Sequence, residues 1–131
     1  MTAMKLQKII YYCQAWSLVW DECPLFREDI QAWSNGPVVR ELYDAHRGEY
    51  EVRTSTLRGA GDPGKLSEQQ METVEAVLEY YGNRSSQWLS DLTHLEDPWK
   101  NARQGLEETE RSEEVIGLAA MQEYYGGLPS D

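Results

Sequence analysis

One segment limits the fold more than any other. Across residues 4–20 the apolar side chains fall on two adjacent helical stripes, Leu6/Ile10/Cys13/Trp20 and Ile9/Tyr12/Trp16/Val19, which together wrap most of the helix circumference. A helix that is apolar on nearly every side must be surrounded, so this one is expected at the centre of a domain. The 131 residues are the size of one domain, residues 1–131, and can bury a core without metal or disulfide staples. The apolar run at 9–20 mimics a signal peptide, but Gln14 interrupts it and Asp21-Glu22 follow where small residues would be needed. At roughly 12 residues it is too short to span a bilayer. The two cysteines, Cys13 and Cys23, have neither Cys-x-x-Cys nor metal-ligand spacing and read as free thiols of a cytoplasmic protein. No metal or other cofactor is expected.

The remaining pattern predicts a mainly α fold of about five to six helices with one small β-hairpin. Residues 30–34 alternate like a short strand, and the β-favouring stretch 50–56 is its expected partner. Ser34-Asn35-Gly36-Pro37 reads as a turn feeding a helix, with Pro37 in the first helical turn and Val38, Val39, Leu42, Tyr43 and His46 carrying it to Gly48. A flexible glycine-rich connector is expected near 58–66. Ser67 to Gln70 reads as a capping box, Met71, Val74, Leu78 and Tyr81 as the buried stripe behind it, and Gly82 as the stop. Ser85 or Ser86 starts a helix with Trp88, Leu89 and Leu92, and Asp97-Pro98 starts another turn at Trp99. Ser112 is expected to cap a last helix through Val115, Ile116, Ala119 and Tyr124, and the tail 127–131 to fray.

Charge narrows function. With 12 basic and 23 acidic side chains the net charge is -11, which disfavours nucleic acid and anionic membrane as direct partners. The imbalance lies in residues 59–131, with five basic against fifteen acidic side chains. Glu68, Glu72, Glu75 and Glu79 share one helix face and have no counter-charge on that helix, at a cost of a few tenths of a kcal/mol per pair. Glu107, Glu108, Glu110, Glu113 and Glu114 form a second group, of which the last two suit the dipole of the final helix. Trp16, Trp20 and Trp88 read as core aromatics, His46 as a helix-face residue, and His94 as a ring hydrogen-bonding across a turn. No nucleophile elbow, His-Glu-x-x-His, phosphate loop or dinucleotide fingerprint occurs, so protein binding rather than catalysis is expected.

Three stretches then stand out: Met4-Lys5-Leu6-Gln7-Lys8-Ile9-Ile10-Tyr11-Tyr12-Cys13-Gln14-Ala15-Trp16, Ala32-Trp33-Ser34-Asn35-Gly36-Pro37-Val38-Val39-Arg40-Glu41-Leu42-Tyr43, and Leu92-Thr93-His94-Leu95-Glu96-Asp97-Pro98-Trp99. Together they resemble the Panacea, or SocA-like antitoxin, domain of bacterial and phage toxin–antitoxin operons. The motif positions are Trp16, Asn35, Gly36, Pro37, Leu42, Thr93, His94, Pro98 and Trp99, and Ser17 stands where the family often has His. The resemblance implies an antitoxin that neutralises a cognate toxin by direct binding, some such toxins being alarmone-synthetase-like. It also implies an alternative, since one founding member is an adaptor carrying its toxin to a Clp protease. The acidic chain suits a toxin with a basic nucleotide- or RNA-binding surface, and the candidate contact residues are Trp33, Tyr43, Glu68, Glu72, Glu75, Glu79 and Trp99. A reading of a different class is a hydrolase using His94 with a nearby carboxylate.

Overall fold

The computed structural model describes residues 2–48, 67–107 and 109–128. The expected strand 50–56 and connector 58–66 lie outside these residues, as does the end of the tail. Among the described residues there are six helices, α1 (Ala3–Trp20), α2 (Arg40–His46), α3 (Glu68–Tyr81), α4 (Ser86–Leu95), α5 (Asp97–Ala102) and α6 (Leu118–Gly126), and two strands, β1 (Ile30–Trp33) and β2 (Gly36–Val39). The chain is mainly α, as its patterning predicts.

Helix α1 is the axis of the domain, starting at a Thr2 hydroxyl that accepts the Lys5 N–H at 3.2 Å. Helices α3, α4 and α6 and strand β2 pack around it. It buries Ile9, Tyr11, Tyr12, Cys13, Ala15 and Leu18, but also Gln7, Lys8, Gln14 and Ser17. Most of these polar groups bind irregular backbone that has no ladder of its own. Gln14 Oε1 accepts from Leu25 N at 2.7 Å while its Nε2 donates to the Phe26 carbonyl at 3.0 Å. Ser17 donates to the Cys23 carbonyl at 2.8 Å, which is the role of this side chain where the family often has His. Two expected core tryptophans are not enclosed. Trp20 is 50 % exposed and stacks on the half-buried Trp16, and Trp88 lies under the Arg84 guanidinium at the surface. Large rings with one polar edge are rarely sealed on all sides, and here a stacked neighbour covers only one face of each.

The hairpin forms within one segment: β1 pairs antiparallel with β2, Ile30 opposite Val39 and Trp33 opposite Gly36. Pro37 therefore sits in a strand, not in a first helical turn. It is tolerated because the Ala32 N–H and C=O point to the other side, where the Glu114 carbonyl accepts from Ala32 N at 2.8 Å, so no ladder bond is asked of Pro37. The positive φ falls on Gly36, at 123°.

A second correction concerns the last helix. Ser112 caps no helix; its hydroxyl accepts the Glu114 N–H at 3.0 Å, and the chain stays extended, Val115 bridging to Gln31 and Ile116 N donating to the Ile30 carbonyl at 2.8 Å. The adjacent β-branched pair Val115-Ile116 suits this third edge better than a helix, and Glu113 and Glu114 have no helix start to stabilise. In α3 the capping box is present, with Gln70 N to Ser67 Oγ at 3.1 Å and Ser67 N to Gln70 Oε1 at 2.8 Å. Its inner face is Thr73, Val77 and Tyr81 with Val74 at the edge, while Met71 and Leu78 are exposed. The contact of the Thr73 hydroxyl with Asp21, at 2.7 Å, fixes that rotation, which apolar spacing alone did not reveal.

Candidate functional site

The three motif stretches meet at the hairpin. Gly36 lies against α1 and α4: a β-carbon built on it would stand 2.5 Å from Lys8 Cε and 3.2 Å from Thr93 Oγ1. Glycine is therefore required twice, by its backbone angle and by this close approach. The Asn35 carbonyl accepts from Ser90 Oγ at 2.9 Å, and the Trp33 carbonyl from Trp99 Nε1 at 2.7 Å. Gln7 holds the start of α2, accepting from Val39 N at 2.9 Å and lying 2.9 Å from His46 Nε2. Arg103, whose guanidinium covers the Trp99 ring, donates to the Ala32 carbonyl at 3.0 Å. His46 is buried, not a plain helix-face residue.

Lys8 pays for its position. It is fully buried, and its ammonium has no hydrogen-bond partner among the described residues. Desolvation lowers its pKa from 10.5 to about 8. The buried carboxylate Glu96 accepts from the Tyr12 and Tyr125 hydroxyls, each at 2.7 Å, and burial raises its pKa more than these two donors lower it. His94 lies flat on Trp99, ring centres 4.1 Å apart.

The motif residues mostly support rather than display. Gly36, Pro37, Thr93, Pro98 and Trp99 are buried, Trp99 being 5 % exposed. Trp16 donates to the Tyr81 hydroxyl at 3.0 Å, and the half-buried Leu42 lines an apolar groove with Ile10, Phe26 and Val39, rimmed by Glu28 and Glu41. What the scaffold displays is the opposite side of α2. There Trp33 and Tyr43 meet edge to face at 4.9 Å and line a cleft of about 200 Å³ with Arg40, Arg47 and Arg111. The structure thus brings Trp33 and Tyr43 together. Glu68, Glu72, Glu75 and Glu79 are all exposed on α3, a separate element. The three arginines were missed by sequence reasoning, because residues 40, 47 and 111 converge only through the hairpin and the extended segment after Ser112.

The family described as antitoxin SocA-like, Panacea domain, matches residues 6–100. The chain belongs to this family. No curated protein and no solved structure matches it. The matched span holds the hairpin, α2 and most of their supports, whereas Arg103, Arg111 and α6 fall beyond it. Among the described residues no helix is long and apolar enough to cross a membrane.

Proposed function

We propose that this Panacea-domain chain is a cytoplasmic antitoxin that neutralises a cognate toxin by binding it directly. The observation that carries the reading is the family match across residues 6–100, which spans the hairpin and α2. Its support in the geometry is economy of purpose: the motif side chains hold a hairpin and a short helix whose outer face carries half-buried aromatics, the residue type that anchors interfaces. The Glu68, Glu72, Glu75 and Glu79 face supplies a negative field that speeds encounter with a toxin bearing a basic nucleotide- or RNA-binding surface. Catalysis by this chain plays no part in the reading.

The test pairs the chain with the product of the adjacent open reading frame. That product expressed alone should arrest growth, co-expression should restore it, and the two purified proteins should form a complex of defined stoichiometry. Restored growth without a detectable complex would overturn direct binding, and an adjacent product that is harmless would overturn the antitoxin reading.

A further inference from the structure

The cleft beside Trp33 is locally opposite in sign to the rest of the molecule. Three of the chain's 12 basic side chains, Arg40, Arg47 and Arg111, line it, although the net charge is -11. Arg40 has only long, exposed contacts, 3.4 Å to Asp44 and 3.4 Å to Glu113, of the kind worth little in water. Arg47 and Arg111 make no hydrogen bond or ion pair among the described residues. Guanidinium groups are planar forks suited to bidentate oxyanions; the one carboxylate on the cleft lining, Glu113, engages Arg40, so Arg47 and Arg111 are left to receive one from outside. Arg40 also lies 6.0 Å from the Trp33 ring centre, and Trp33 Nε1 is held by Gln31 Oε1 at 2.8 Å, so the aromatic wall is pre-oriented.

Size decides the class of ligand. Clefts that enclose whole small molecules run from about 300 to 1,000 Å³. At about 200 Å³ this one fits a single side chain or one phosphate, not a nucleotide. We propose that the arginine cleft is the anchor point for a carboxylate side chain of the bound toxin, an Asp or Glu seated against Trp33 and clamped by Arg47 and Arg111. The inference rests on the direct-binding reading and refines it: the acidic α3 face steers encounter, and a patch of reversed sign fixes the docked register. Trp33, Arg40 and Arg47 lie within the family-matched span and Arg111 beyond it.

The full chain, labelled with nitrogen-15, is titrated with a capped tetraglutamate peptide, with inorganic phosphate and with a capped tetralysine peptide. Tetraglutamate should shift the Trp33 indole resonance saturably, and the exposed double variant Arg47→Gln/Arg111→Gln, folded by its spectrum, should weaken that binding about tenfold or more. No shift, a shift unaltered in the variant, or a response to phosphate alone would overturn the carboxylate assignment. In parallel, the variant should lose about tenfold or more in affinity for the adjacent-gene toxin. Equal binding by variant and wild type would sink the cleft while sparing direct binding. A toxin that wild type does not bind would sink direct binding, and the peptide titration would still judge the cleft.

Discussion

The hairpin with α2 and the helix α3 are built in opposite ways. Helix α3 is largely self-sufficient: it begins in its own capping box, ends at Gly82 and sets one short apolar face against α1. The hairpin and α2 are eight residues of strand and seven of helix held by side chains from elsewhere, Gln7, Lys8, Ser90, Thr93, Trp99 and Arg103. Substitutions should therefore propagate from the supports of the hairpin to whatever surface it presents, and stay local on α3.

The largest effect should come from Trp99→Ala. It empties a buried aromatic site and leaves the Trp33 carbonyl without its donor, so a loss of about 3 to 5 kcal/mol is expected by denaturant titration. Gly36→Val should follow at a cost on the order of 3 kcal/mol, since the residue must take a φ of 123° and meet Lys8 Cε. Toxin neutralisation should fall with it. An unchanged melting temperature would mean that the hairpin is not bolted to α1 as described.

Lys8→Met should act in the other direction. The folded pKa, about 8, lies below the unfolded value of 10.5, so the unfolded chain holds the proton more tightly across that window. Wild-type stability should therefore rise as pH climbs above about 8, until the Cys13 thiol, which burial raises from 9.0 to about 12, opposes it above about 9 and tyrosine ionisation follows near 10. Lys8→Met should remove that slope and stabilise the protein at neutral pH on the order of 2 to 3 kcal/mol. A wild-type stability that is flat from about pH 8 to 9 would show that the ammonium finds a partner in solution.

On α3 the effects shrink. Ser67→Ala should cost about 1 kcal/mol through loss of the cap, without altering toxin affinity. Reversing Glu68, Glu72, Glu75 and Glu79 to Lys should change stability by less than about 1 kcal/mol. It should slow toxin association at low salt far more than at high salt, which stopped-flow kinetics across a salt series would read. An unchanged low-salt rate would return this face to ordinary solvation and leave the hairpin as the sole candidate interface.

Local patterns sufficed for much of the chain: the surrounded α1, the caps at Ser67 and Ser85, the start of α5 at Asp97-Pro98 and the need for glycine at residue 36. Each depends on backbone donors, turn angles or apolar periodicity within a few residues, which the chain carries wherever it folds. Three of the failures turn on partners distant in sequence. Pro37 joined a strand because Ala32 spends its ladder groups on Glu114, the segment after Ser112 stayed extended because β1 had a free edge, and α3 rotated to bring Thr73 to Asp21. The arginine cleft belongs to the same class, since a cluster from residues 40, 47 and 111 exists only once a third extended segment has paired with β1. Sequence determines which groups need a partner, and tertiary packing decides which partner each one finds.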